Sequence, residues 1–207
     1  ESPDFLDLLV ALEADVMYRE PPAGDEPPFR YMSGTLPVLL LHPTARLTGR
    51  YKQEDEYTTA FARLLAERTG AHVIYAFARS EDDPNWDRVS PYKAALAERV
   101  TRHGIRFVID IHGMSNRHKF GIAVGTMCGA SCRRRHETIV VESLASAGFV
   151  EATANEAGDF TALHWDRFVV IHGRFTGGIT SHTVTRFAAE ELGIYAVQIE
   201  LCAGLRI

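Results

Sequence analysis

The sequence predicts an α/β domain of three layers, in which helices cover both faces of a mixed, mostly parallel β-sheet. Apolar runs rich in β-branched residues alternate along the chain with longer segments of helical periodicity, which is the order that parallel strands and their crossover helices require. The chain has 207 residues, of which 46% are hydrophobic, and this is enough to bury the core of one such domain.

The predicted elements follow this alternation from residue 36 onward. Residues 1–35 precede it and are predicted to form an N-terminal helix at 5–12 and a stiff, exposed, Pro-rich segment at 20–28, so we place the main domain at 36–207. The predicted strands are the apolar runs at residues 36–41, 72–77, 106–111, 119–126, 167–171 and 195–200. The predicted helices are the periodic segments at residues 54–69, 90–103, 133–147 and 181–192.

Charge and hydropathy exclude two classes of partner. The formal net charge is −5, and the one basic run, residues 133–135, is interpreted as a solvated helix start. Nucleic-acid binding depends on clustered Lys and Arg side chains, so we expect no nucleic-acid partner. No apolar stretch approaches the roughly 18 residues of a membrane span, and the first residues lack the pattern of a signal peptide. We therefore expect a cytoplasmic protein with no membrane partner.

The cysteine pattern agrees with a reducing compartment. Cys128, Cys132 and Cys202 cannot form a closed set of disulfides. The Cys128-x3-Cys132 pair with His136 has the spacing of half a structural zinc site, but no second ligand pair is evident. We interpret the pair as small residues packed in a turn.

Three of the predicted strands end in residues that can bind or assist a metal ion. His42 and His112 each end an apolar run, and Glu200 ends the last one. Side chains at the carboxyl ends of parallel strands are held by the sheet at the edge where α/β proteins form their sites. A catalytic zinc site uses three protein ligands and keeps one position open, so two imidazoles call for a third ligand.

A carboxylate in the helix start after His42 is the expected third ligand. Glu54, Asp55 and Glu56 are alternatives there, although an acidic run also compensates the charge of a helix N-terminus. Each histidine taken alone is better explained as a satisfied, partly buried side chain, whereas together they favour a metal centre. Asp110 lies on the same strand face as His112 and could orient its imidazole, or pair with an arginine instead.

Glu200 is the predicted general base. A carboxylate beside the metal can take a proton from the attacking water, because the metal lowers the pKa of that water. The alternative is a strand-end glutamate that pairs with an arginine.

With these residues the chain resembles the N-formylglutamate amidohydrolase family, which belongs with the zinc carboxypeptidase-like hydrolases. The likeness extends over residues 36–201 in the family's order. It is carried by the strand that ends in His42, Lys52-x-x-Asp55-x-x-Thr58, the segment from Arg79 to Asn85, Asp110-Ile111-His112-Gly113-Met114, and Phe175-Thr176-Gly177-Gly178 followed by Gln198-Ile199-Glu200.

The resemblance implies a phosphorylase/hydrolase-like fold and a site. The implied ligands of one zinc ion are His42, Asp55 and His112, and Glu200 would activate the water. The implied substrate-binding residues are Arg79, Asn85, Gly177 and Gly178, with Arg79 anchoring a substrate carboxylate through its guanidinium fork and Arg174 as the second candidate anchor.

The predicted function is zinc-dependent hydrolysis of an amide bond, other than an ordinary peptide bond, in a small carboxylate-bearing substrate. An N-acyl or N-formyl amino acid fits this description. The alternatives are a murein or γ-glutamyl peptide amidase, and a non-catalytic binding protein of the same fold.

Overall fold

The described part of the chain contains eight strands, seven α-helices and a short 3-10 helix at Asn116–His118. The computed structural model describes residues 4–17, 20–42, 55–171, 178 and 181–206, and at His42 the backbone alone. The strands are β1 (Phe29–Met32), β2 (Val38–His42), β3 (His72–Ala76), β4 (Phe107–Met114), β5 (Phe120–Gly125), β6 (Val150–Glu151), β7 (His164–Ile171) and β8 (Tyr195–Cys202). The helices are α1 (Phe5–Glu13), α2 (Thr58–Thr69), α3 (Pro91–His103), α4 (Arg134–Ser146), α5 (Ala154–Asp159), α6 (Val184–Glu190) and α7 (Ala203–Arg206).

The strands form one mixed sheet in the order β1-β3-β2-β4-β8-β5-β7-β6. Strands β3, β2, β4 and β8 are parallel to one another, and β1 pairs antiparallel with β3 at the edge. Strand β5 runs antiparallel to β8, and β7 and β6 are parallel to β5. The sheet therefore contains two blocks of parallel strands that run in opposite directions, with β1 added antiparallel at one edge, and the predicted α/β fold with a mixed sheet is confirmed.

Alternating side chains of the strands bury both faces of the sheet. On one face Leu40 and Val73 pack with Ala62 of α2, and Leu144 of α4 covers the same cluster. On the other face the neighbouring strand residues, among them Ile74, pack against α3 and α6. Since successive side chains of a strand point to opposite faces, helices lie on both sides and the architecture has three layers.

The segment before residue 36 contributes to this sheet and its core. Strand β1 was not predicted, because four residues after a Pro-rich loop give too short a pattern to recognise. Leu9 of α1 packs against Ala60 and Leu64 of α2. The domain boundary at residue 36 stays a prediction.

Helix α2 begins later than predicted. Its first residue is Thr58 rather than residue 54, because Tyr57 has a left-handed backbone with φ of 64° and interrupts the helical run. Asp55 consequently lies in a short turn ahead of the helix. No helix among residues 4–17, 55–171 and 181–206 has the length and apolar character needed to cross a membrane.

The three cysteines are free thiols. Cys128 is exposed in the turn between β5 and α4, whereas Cys132 is buried.

Candidate active site

Two adjacent parallel strands bring four polar side chains to one face of the sheet. In the register of β4 and β8, Asp110 lies opposite Gln198 and His112 lies opposite Glu200. All four side chains are buried. Residues two apart on a strand share a face, so the four form one group near the carboxyl ends of both strands.

Asp55 joins this group from the turn before α2. Its Oδ1 accepts a hydrogen bond from the Gly113 N–H at 2.9 Å, and it lies 3.9 Å from His112 Nδ1. The other ring nitrogen, Nε2, lies 3.2 Å from Asp110 Oδ1. The imidazole of His112 is thus placed between two carboxylates. Three acidic residues after His42 were candidate ligands, and the structure describes the carboxylate of Asp55 beside His112. Glu54 lies outside the described residues.

Two further side chains of this site were given no role from the sequence. The Thr185 hydroxyl, on α6, donates to Asp110 Oδ2 at 2.8 Å and is fully buried. The Gln198 amide donates to Glu200 Oε1. The alternation of the strand could have identified Gln198, because it lies two residues before Glu200. No local signal connects Thr185 with Asp110, since 75 residues separate them.

The electrostatics of the group favour a positive charge. Burial by itself lowers the pKa of His112, but the charge of Asp110, the closeness of the Asp110 and Asp55 carboxylates and the charge of Glu200 outweigh it and raise that pKa well above its ordinary value. Burial also raises the pKa of Glu200 to about 7, assisted by the charges of Asp55 and Asp110 and opposed by His112 and Gln198. Three carboxylates around one imidazole therefore form a buried cluster that gains from a bound cation.

The donor types and their spacing fit a zinc ion. Two ligand atoms held at about 2.0–2.1 Å in tetrahedral geometry lie about 3.4 Å apart. The Asp55 Oδ1 to His112 Nδ1 distance of 3.9 Å is close to that value. Within the described residues no group of three or more His, Cys, Asp or Glu side chains is arranged to hold a metal, and the third predicted ligand, His42, has no described side chain.

The predicted substrate-binding residues lie on two loops. Arg79 is exposed just after β3, and its backbone N–H donates to the Glu20 carbonyl. Asn85 is half-buried, its backbone N–H donates to Asp83 Oδ1, and its side-chain Oδ1 is buried without a hydrogen-bond partner in the structure. Arg79 and Asn85 belong to a segment separate from the four-residue group on β4 and β8. Arg174 and Gly177 lie outside the described residues.

Gly178 occupies a position that only glycine fits. Its φ is 126°, and a Cβ there would lie 2.4 Å from Thr183 Oγ1 and 2.7 Å from the Arg186 Cβ. The backbone therefore packs directly on the start of α6, the helix that also carries Thr185.

A buried lysine connects these two loops. The Lys93 ammonium donates to the Asp87 carbonyl at 2.6 Å and to the His182 carbonyl at 2.5 Å. Burial lowers the pKa of Lys93, and nearby carboxylates oppose that effect. The loop that carries Asn85 and the loop that leads into α6 are thereby held to each other.

A family model matches the part of the chain that contains most of this group. The model for N-formylglutamate amidohydrolase covers residues 88–205, more than half of the chain. The chain belongs to the N-formylglutamate amidohydrolase family. The suspected family is confirmed, and with it the amidohydrolase class and a small-molecule substrate. His112, Glu200, Gln198 and Thr185 lie inside the matched residues, whereas Asp55 precedes them.

Solved structures resemble the chain at low sequence identity. The gene product Atu2144 of Agrobacterium tumefaciens is 13% identical, with a TM-score of 0.48 and 87% of each chain covered. A zinc-free form of the protein YNDL is 18% identical, with a TM-score of 0.45, 88% of this chain and 76% of that chain covered. The N-acetylmuramoyl-L-alanine amidase AmiC2 of Nostoc punctiforme is 11% identical, with a TM-score of 0.37, 81% of this chain and 79% of that chain covered. No curated protein sequence matches the chain.

Proposed function

We propose that this amidohydrolase-family protein uses zinc to hydrolyse an amide bond in a small carboxylate-bearing substrate of the N-acyl or N-formyl amino acid type. The observation that carries the proposal is the meeting of Asp55, His112 and Glu200 in one buried group at the ends of β4 and β8. An imidazole, a carboxylate that can act as ligand and a carboxylate that can act as base are the groups that metal-assisted hydrolysis requires.

One zinc ion would be held by His42, Asp55 and His112. When bound, it would act as a Lewis acid toward the substrate carbonyl. Asp110 orients the His112 ring through Nε2, and Thr185 fixes Asp110 from α6. A ring held in this way is presented in one orientation, as ligand imidazoles commonly are.

Glu200 takes the proton of the attacking water and delivers it to the leaving nitrogen. Burial raises the pKa of the Glu200 carboxyl group, which makes it a stronger base for the water proton than an exposed carboxylate. The Gln198 amide holds one carboxylate oxygen, Oε1, and so limits rotation of the base.

The substrate carboxylate would be bound by an arginine. Arg79, or Arg174 in second place, can offer two parallel N–H donors to a carboxylate. Asn85, on the same segment as Arg79, has a buried side-chain oxygen that can accept a hydrogen bond from an N–H group of the substrate. Gly177 would let the backbone approach the substrate closely, whereas the missing side chain of Gly178 lets its backbone pack on the start of α6.

Metal analysis combined with two variants tests the proposal. Protein purified without added metal should contain about one zinc per chain and hydrolyse N-formyl or N-acetyl amino acids. His112→Ala should lose the zinc. Glu200→Gln should keep it but lose at least about 100-fold in kcat.

Glu67→Gln is the matched control, because Glu67 is an exposed glutamate on α2, and it should behave as wild type. A protein that takes up no zinc when the metal is supplied at neutral pH would refute the metal mechanism. A Glu200→Gln variant with unchanged kcat would refute the assignment of the base.

A further inference from the structure

The turn that presents Asp55 is held by residues from distant parts of the chain. We call residues 55–57 the Asp55 turn. Three side chains bond its backbone: Glu13 from α1, Thr58 from α2 and Arg206 from α7. Glu13 and Arg206 lie outside the residues that the family model matches.

Glu13 closes the N-terminus of α2. Its Oε1 accepts from the Tyr57 N–H at 2.7 Å, and its Oε2 accepts from the Ala60 N–H at 3.0 Å. The first N–H groups of a helix lack partners within the helix, and Tyr57 provides no side-chain cap. A carboxylate from a separate helix thus performs the capping, and one of its two bonds falls on the Asp55 turn itself.

The position of Glu13 is itself fixed by contacts between α1 and α2. Leu9 is buried in the cluster that joins the two helices. Arg63 of α2 donates to the Leu12 carbonyl and forms an ion pair with Asp15 at 2.6 Å. Residues before and after Glu13 therefore contact α2, and they hold the end of α1 against that helix.

Arg206 and Thr58 hold the carbonyl groups of the same turn. The Arg206 guanidinium, which is 1% exposed, donates to the Glu56 carbonyl and to the Leu201 carbonyl at the end of β8. The Thr58 hydroxyl donates to the Asp55 carbonyl. The peptide group between Glu56 and Tyr57 is therefore bonded to both α1 and α7, and the Asp55 carboxylate accepts from the Gly113 N–H on β4.

We propose that Glu13 is a positioning residue for Asp55, so that the helix at the start of the chain sets the geometry of the candidate metal ligand. The proposal rests on the proposed function for the metal, but the position of Asp55 can be measured without any metal. Glu13 acts on the backbone two residues from the ligand and touches neither substrate nor the reacting atoms.

Glu13→Gln is the informative substitution. Glutamine has the same shape but only one acceptor oxygen, so either Tyr57 or Ala60 faces an NH2 group instead of an acceptor. The turn then loses one of its bonds and samples other positions. Substitution of a residue that supports a metal ligand commonly lowers metal affinity by about 10–100-fold. We therefore expect zinc binding to be about 10-fold weaker in Glu13→Gln.

Two control variants separate positioning from stability. Glu67→Gln makes the same chemical change at an exposed site of α2. Val169→Ala removes packing in the separate cluster around β5 and β7 and leaves α1, α2 and the Glu13 carboxylate in place. Zinc affinity measured by competition with a chelator, below the onset of unfolding, should fall for Glu13→Gln and stay at the wild-type value for both controls.

Hydrogen exchange of the Gly113 amide gives the metal-free measurement. This amide donates to Asp55 Oδ1, so its protection in the apoprotein reports how often Asp55 leaves its position. Glu13→Gln should lower the protection of Gly113 about 10-fold, in line with the expected loss of affinity. The amide of Val197, in the centre of the sheet, should be unaffected.

Each outcome decides the proposal. Unchanged protection of Gly113 in Glu13→Gln overturns it, and so does an equal loss in Val169→Ala. Reduced protection in Glu13→Gln alone supports it, even if wild-type protein binds no zinc, in which case the proposed function fails and the positioning role stands.

Discussion

Replacing Thr185 by valine should destabilise the protein more than the same replacement at Thr59. Both threonines are fully buried, and each donates one hydrogen bond of 2.8 Å. Thr185 donates to the carboxylate of Asp110, whereas Thr59 donates to the backbone carbonyl of Ala76. Valine has the shape of threonine and cannot donate, so each variant removes the bond with little change in volume.

The acceptor sets the expected magnitudes. A hydrogen bond to a charged group contributes about 1.5–3 kcal/mol to stability, and a bond between neutral groups contributes about 1 kcal/mol. We therefore expect Thr185→Val to lower the free energy of unfolding by about 2–3 kcal/mol and Thr59→Val by about 1 kcal/mol. The difference of about 1–2 kcal/mol corresponds to roughly a 5- to 30-fold change in the folding equilibrium.

Urea unfolding at pH 7 and 25 °C, followed by circular dichroism, measures both values under one condition. The slope of free energy against urea should be the same for the two variants and wild type, which shows that the states compared are the same. If Thr185→Val costs no more than Thr59→Val, Asp110 is not a buried charge that depends on Thr185. The orientation of His112 by Asp110 would then lose its support.

Three further predictions concern pH, packing and metal. Burial and a neighbouring histidine lower the pKa of His72 below 6.5, so the stability that its neutral ring provides is complete above pH 6.5 and declines as the pH falls toward the folded-state value. In His72→Asn the amide oxygen can still accept the hydrogen bond of the Tyr31 hydroxyl, which contacts the His72 ring in the wild type. Urea midpoints measured from pH 5 to 8 should decline less toward low pH in this variant. An unchanged decline would show that His72 is not its source. Gly121→Ala should lower the free energy of unfolding by at least about 2–3 kcal/mol, because its Cβ would lie 1.9 Å from the Trp165 carbonyl oxygen. Gly158→Ala, at an exposed helix position with open space, should be neutral or stabilising by up to about 1 kcal/mol. Equal urea midpoints for the two variants would refute the packing argument. Chelation should abolish hydrolysis while the far-ultraviolet circular dichroism is kept, since the sheet is buried without the ion; loss of the dichroism would indicate a structural metal instead.

The positions of His112 and Glu200 follow from the sequence because they depend on local pattern. Each ends an apolar run, and parallel strands place such ends at one edge of the sheet. Their direct apposition depends on β8 being the neighbour of β4, which no local pattern specifies. The alternation of strands and helices predicted a mixed, mostly parallel sheet but not which strand reverses, so the reversal at β5 was also beyond the pattern.

The contacts that support the site depend on tertiary structure and could not be predicted. Thr185 meets Asp110 only because α6 packs on the face of the sheet that carries Asp110. Glu13 contacts Tyr57 because α1 docks on α2. The apolar face of α1 does not show from the sequence which element it will pack against. A polar side chain on a helix carries no periodic signal for what it bonds across the fold.

The place of β8 in the sheet has a consequence for synthesis of the protein on the ribosome. β8 is the last of the eight strands in the described chain, yet it lies between β4 and β5 and is the sole connection between the two blocks of the sheet. Until residues 195–202 leave the exit tunnel, β4 and β5 each present an open edge of unpaired backbone groups. Such edges are templates for pairing with other chains, so the nascent protein has a period of aggregation risk that ends with one late strand. The same insertion delivers Glu200 opposite His112, and the two halves of the sheet and the candidate catalytic group are completed in a single event.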